Sequence, residues 1–229
     1  KMRTGLNFVY PEAAAITIPS KLTATQLKGR MKDQEAAEFT GSEHSVKPQF
    51  RSLLERKKTS GGTEYGTALH NVMQYLDFKK CSDYEGIVND IDRMVRRGLI
   101  TQEQGSTVDV EQIAAFFQSA LGKRMIEGKQ VLREFKFSIL EDASKYYSDV
   151  EHDTILLQGV IDCALIEHDG ITVLDFKTDR ITPENRLERV LQYSRQVDTY
   201  AKALTRIYEL PVKNMYIYFF SSGELVEVK

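Results

Sequence analysis

The sequence predicts an α/β fold: a central mixed β-sheet flanked by helices, with a helical segment ahead of the strands. Two observations carry this. Apolar residues recur at helical spacing in three successive segments up to Ile126, and short apolar runs of strand character follow, broken by one long amphipathic segment after Thr182. Among those runs, residues 156–166 and 171–176 are joined by the polar turn His168-Asp169-Gly170, the signature of a β-hairpin.

In chain order, residues 1–50 read as a connector, partly mobile, and residues 51–229 as the folded domain. Within the connector, K-L-T-A-T-Q-L-K at 21–28 suits a short helix capped by Thr23 or Thr25, and the charged run 29–49 suits a linker. Ser60-Gly61-Gly62 reads as a break, after which Thr63 can cap a helix carrying Tyr65, Leu69, Val72, Met73 and Leu76. Residues 85–97 form a second helix, closed by Gly98, and 109–126 a third with Val110, Ile113, Phe117 and Leu121 on its apolar side. Residues 131–140 read as the first strand, followed by the hairpin. Thr182-Pro183-Glu184 is a helix start, with Leu187, Val190, Leu191, Val197, Ala201 and Leu204 as the expected core stripe. Leu210-Pro211 ends that helix, and 215–220 with 225–228 make a last strand pair.

Composition narrows the function classes. The 229 residues are 41% hydrophobic and 28% charged, which is ample for a buried core. A net charge of -2 leaves nucleic-acid binding to local patches. Cys81 and Cys163 lack metal-ligand spacing, which argues against a disulfide or iron–sulfur framework and for a reducing compartment. With no run of membrane-span length and no signal-peptide pattern, the expectation is a cytoplasmic protein with no membrane partner.

The hairpin carries the chemistry. Asp162 and Asp175 interrupt its apolar runs, and strand alternation puts Asp175 and Lys177 on one face with Phe176 on the other. An unpaired charge inside such a run costs on the order of several kcal/mol, so Asp162 needs a partner. A cation shared with Asp175 is one; a buried ion pair with Lys177 is the other. A divalent cation accounts for both acids and the lysine together, and Mg²⁺ suits a site of two carboxylates and a backbone carbonyl. Beside it, Lys177 would hold or deprotonate a water and offset phosphate charge, which is equipment for phosphodiester hydrolysis.

These residues resemble a known family. Gly159-x-x-Asp162 followed by Asp175-Phe176-Lys177-Thr178 is similar to the PD-(D/E)xK nuclease signature. Gly66-x-x-x-His70, Arg133-Glu134-x-x-Phe137 and Gln196-x-x-x-Tyr200 are similar, in order, to motifs of its RecB-like branch, and the whole resembles nuclease domains of AddA-type helicase–nucleases. The resemblance implies a restriction-endonuclease-like core and a metal held by His70, Asp162, Asp175 and the Phe176 carbonyl. It gives Lys177 the catalytic role and lets Glu134 line the site. Gln196 and Tyr200, expected on a stripe with Gln192 away from the core, are either a solvated face or a polar edge that positions the acids or a phosphate. Arg180, Arg186, Arg189 and Arg195 could contact phosphate or form a soluble face.

The implied activity is a Mg²⁺-dependent deoxyribonuclease of exonuclease type, with Mn²⁺ possible through the histidine. It would act on single-stranded DNA unwound by helicase domains upstream, degrading the 3′-ended strand during recombinational repair of double-strand breaks. An AddB-like protein would be its partner. The departures are a missing Pro before Asp162 and the absence of a Walker A sequence, which puts the motor upstream. The alternatives are a non-catalytic DNA-binding or docking module of the same fold and a free-standing restriction-like endonuclease.

Overall fold

Strand β3 (Thr154–Glu167) is the spine of the molecule, because three other strands pair with it. The computed structural model describes residues 18–24, 26, 60–147, 150 and 153–229. Along one edge, β2 (Gln130–Asp142) runs antiparallel to β3 over nearly its full length. The other edge is shared: β1 (Lys21–Thr23) pairs in parallel with Leu156–Gln158, and β4 (Gly170–Lys177) pairs antiparallel with Cys163–Glu167. Between them, residues 159–162 have no described strand on that side. The sheet continues through β5 (Val212–Phe219), parallel to β4, to β6 (Glu224–Val228). This is the mixed, helix-flanked sheet that the sequence predicts, with six strands.

Five helices cover one face: α1 (Ser60–Tyr75), α2 (Tyr84–Arg96), α3 (Gln102–Thr107), α4 (Val110–Gln118) and α5 (Ala120–Glu127). Their apolar stripes close over Cys163, Leu165, Leu174 and Phe176. On the opposite face the long α6 (Arg186–Tyr208) packs Tyr193, Val197, Tyr200 and Leu204 against Ile161, Val173, Ile217 and Phe219. Gly98, at φ 67°, ends the α2 segment in the left-handed conformation that glycine adopts freely.

Strand alternation reverses partway along the β2–β3 pair. Cys163 and Leu165 pack among the five helices, yet Ile161, Leu157 and Ile155, also odd-numbered, pack beneath α6. On β2, Leu132 lies on the α6 side, and so do Phe135, Phe137 and Ile139. Both strands therefore change phase at the same level, between Arg133↔Cys163 and Phe135↔Ile161. The two residues at that level are Glu134 and Asp162.

Several elements differ from the sequence expectation. Lys21–Thr23 is a strand rather than the start of a helix, since Leu22 is buried against the sheet and the backbone pairs with β3. Ser60 already lies in α1, so Thr63 is not its cap and Ser60-Gly61-Gly62 is no break. The segment expected as one helix at 109–126 is two, divided at Ser119, whose backbone is extended and whose side chain caps Gly122. Helix α3 is an addition to the expected elements; Thr101 and Gln104 start it with a reciprocal capping box. Thr182 does not start α6. Its carbonyl accepts from Asn185 and Arg186 in a turn, and the helix begins at Arg186. Leu187 and Leu191 are 68% and 59% exposed, because the stripe that faces the sheet is the one with Tyr193, Gln196 and Tyr200. The expected linker at 29–49 lies outside the described residues. Among those described, no helix is long and apolar enough to cross a membrane.

Candidate active site

The phase change brings two acids face to face. Glu134 stands opposite Asp162 in the register, and its backbone takes φ 47°, rare for a residue with a side chain. Like charges directly opposite on a sheet repel. His70, on α1, answers both: its Nδ1 is 3.5 Å from Glu134 Oε1 and 3.7 Å from Asp162 Oδ2. Burial alone would lower the imidazole pKa, but the Asp162 charge and the Glu134 contact outweigh it and hold the group above its ordinary value. Ligand atoms of His70, Glu134 and Asp162 lie within 4.8 Å of one another, a spacing that could hold a metal ion.

Asp175 lies beyond this trio on β4 and is fully buried. Neither of its carboxylate oxygens accepts a well-formed hydrogen bond. Its charge partner is Lys177, whose Nζ is 2.5 Å from Oδ2. Burial pushes the Asp175 carboxyl up, against the pull of Lys177 and with added repulsion from Asp162. For Lys177 burial opposes the charge, yet Asp175 and Asp162 prevail and keep it an ammonium. Phe176 points the other way, into the helical layer, where its ring meets Phe116 edge-on at 5.4 Å. Its amide donates to Asp162 Oδ2 at 2.9 Å, tying the two hairpin strands together at the site.

Each motif has a packing reason. A Cβ on Gly66 would stand 3.0 Å from Thr178 Oγ1, so the glycine lets α1 approach the end of β4 and sets His70, one turn on, over the acids. The Arg133 guanidinium donates to the Leu76 carbonyl and lies 4.9 Å over the Phe78 ring, fixing the end of α1. Gly159 leaves room for the Phe137 ring, which a Cβ there would approach to 2.5 Å. The Phe137 ring in turn meets the Tyr200 ring edge-on at 6.0 Å.

Gln196 and Tyr200 are buried, at 8% and 2% exposure, not on a solvated face. Gln196 Nε2 donates to the Tyr200 hydroxyl and its Oε1 accepts from Lys177 Nζ at 3.4 Å. Burial, with the Asp162 and Asp175 charges, pushes the Tyr200 hydroxyl far up and keeps it neutral. Of the four arginines, Arg186 is paired with Glu224 at 2.5 Å and Arg189 donates to Gln192; Arg180 and Arg195 are exposed. Two further residues join the site beyond those the sequence singles out. The Tyr193 ring lies under the Lys177 ammonium, and its hydroxyl donates to Asp179. Their signal is positional: Asp179 closes the D-F-K-T-D run, and Tyr193 precedes Gln196 by one turn.

A family model described as the PD-(D/E)XK nuclease superfamily matches residues 47–228. The A chain of the ATP-dependent helicase/nuclease of Thermoanaerobacter sp. (strain X514) is 37% identical over 231 residues, 97% of this chain and 18% of the relative. Its counterpart in Clostridium acetobutylicum is 35% identical over 239 residues, 100% of this chain and 19% of the relative. That of Bacillus cytotoxicus is 34% identical over 235 residues, 98% and 19% respectively. The chain thus spans about a fifth of the length of these curated relatives.

Proposed function

Because the chain belongs to the PD-(D/E)XK nuclease superfamily and matches the C-terminal region of ATP-dependent helicase/nucleases, we propose that it is a divalent-metal-dependent deoxyribonuclease acting on single-stranded DNA. The observation that carries this reading is Asp175. A fully buried carboxylate without a well-formed hydrogen bond, near two acids opposed across a strand pair, is an unstable arrangement unless a cation is shared among them.

The donor set fits such a cation. Asp162, Asp175 and the Phe176 carbonyl would hold it with His70, and Glu134 would line the site beside them. Hard oxygen donors favour Mg²⁺, and the imidazole makes Mn²⁺ an acceptable substitute. When bound, the ion supplies Lewis-acid activation of water and of the scissile phosphate. The chain's own residues do the rest. Lys177, held as an ammonium, sets positive charge where a phosphodiester gains negative charge on attack, and holds a water by donation rather than by removing its proton. Gln196 fixes the ammonium through Oε1, and Tyr200 orients the amide. A docking module would gain nothing from a fully buried acid, which weighs against the non-catalytic alternative.

In the larger context we assign this domain to an exonuclease that follows upstream helicase domains, with an AddB-like partner, and degrades the 3′-ended strand in break repair. Digestion of end-labelled single-stranded DNA with Mg²⁺ tests the reading. The parent chain should cleave, and Asp175→Ala and Lys177→Ala should each fall by at least about a hundredfold, the scale of losing electrostatic transition-state stabilisation. Equal residual cleavage in all three would sink the catalytic assignment, and the order in which the two end labels are released reports polarity.

A further inference from the structure

The Lys177 ammonium has a neighbour that the nuclease reading leaves without a task. Its Nζ lies 4.7 Å from the centroid of the Tyr193 ring, on the turn of α6 before Gln196. Tyr193 is 3% exposed and is backed by Phe219, ring centroids 6.2 Å apart. Its hydroxyl donates to the Asp179 carboxylate, and the Asp179 carbonyl accepts from Ser221 Oγ at 2.6 Å in the β5–β6 turn. The ring is therefore held from behind by β5 and at its tip by an acid that is itself tied down.

We infer that Tyr193, oriented by Asp179, is a positioning residue that holds the Lys177 side chain on its ring face. The inference rests on the role proposed above for Lys177. A lysine has a flexible four-carbon stem, and Asp175 fixes its ammonium from β4 alone, with Gln196 at the long limit of a hydrogen bond. Three acids already stand in the site. A fourth against the ammonium would cancel the charge that must act on phosphate. A ring attracts the cation through its quadrupole without neutralising it. Asp179 sits one group further out, where it orients the tyrosine hydroxyl instead of pairing with the lysine.

The test uses this chain, Mg²⁺ and single-stranded DNA, with proton NMR of the metal-free protein beside it. Tyr193→Leu should lower kcat about ten- to thirtyfold, the range for losing a desolvated cation–π contact, with KM changed by less than about twofold. Tyr193→Phe keeps the ring face and should show only a fall of about threefold, the scale of one hydrogen bond. The Lys177 ε-methylene protons should be shifted upfield by the ring in the parent and in Tyr193→Phe, and lose that shift in Tyr193→Leu. If Tyr193→Leu fails to fold, Asp179→Ala leaves the ring but frees its hydroxyl, and should reduce both kcat and the upfield shift. An unshifted Lys177 in the parent, or parent-level kcat in Tyr193→Leu or in Asp179→Ala, would overturn the inference. Lys177→Ala separates the two claims: in that background Tyr193→Leu should cost nothing further. If Lys177→Ala itself cleaves at the parent rate, the role of Lys177 fails and the inference falls with it; if Lys177→Ala is inactive while Tyr193→Leu keeps the parent rate, the inference fails alone.

Discussion

Glu134 combines two unfavourable features, a left-handed backbone and a carboxylate directly across from it. A residue with a Cβ in that conformation costs roughly 1–2 kcal/mol relative to glycine. Glu134→Gly should therefore stabilise the metal-free protein by about 1 kcal/mol, a rise in Tm of about 2–4 °C for a domain of this size. Thermal unfolding in chelator, followed by circular dichroism, checks the sign; nuclease activity should fall at the same time. A lower Tm would mean that the Glu134 contact with His70 outweighs the strain. The His70 contribution has a definite pH sense. Its folded pKa is raised, so the stability it adds is full below about 6.5, the free value, and is lost as pH rises through the folded value.

At the scale of elements, the motifs are joints between strands and helices as much as chemical groups. Gly159 shows this, because the Phe137 ring occupies the space of its missing side chain and the Ala24 methyl closes the other side. Gly159→Ala should destabilise by about 1–3 kcal/mol through overpacking, and Phe137→Leu added to it should recover part of the loss; denaturant unfolding of the single and double variants measures both. Asp162, Asp175 and Lys177 are legible in the sequence because charges inside apolar strands break a pattern that periodicity makes conspicuous. The face of α6 is not, because that helix carries two apolar stripes, and hydrophobicity alone favours Leu187 and Leu191 over a stripe containing Gln196. Only the sheet opposite decides between them. Tyr193 and Asp179 escape for a related reason: an aromatic in a helix and an acid after a strand have ordinary explanations until the fold brings them together. The short strand β1 has no local sign, since its pairing partner is more than a hundred residues away.

At the scale of the whole molecule, β1 makes the N-terminal segment part of the domain. Leu22 and Ala24 are each 1% exposed and pack with Leu157 and Ile161 beneath the sheet. Leu22→Ala should cost about 2–5 kcal/mol, as for other fully buried leucines, read as a lower denaturant midpoint. A change within about 0.5 kcal/mol, the range of surface positions, would place β1 outside the cooperative unit. The parallel pairing of Lys21–Thr23 with Leu156–Gln158 also fixes an order of events during synthesis. The first strand made must wait for its partner while the five helices between them emerge, a delay on the order of ten seconds at ribosomal speeds. During that interval the helical layer can collapse, but β3, with Asp162 on it, has yet to emerge, and β4 with Asp175 follows later still. The acids are thus brought together late in the growth of the chain, after the helical layer that shields one side of them has been made.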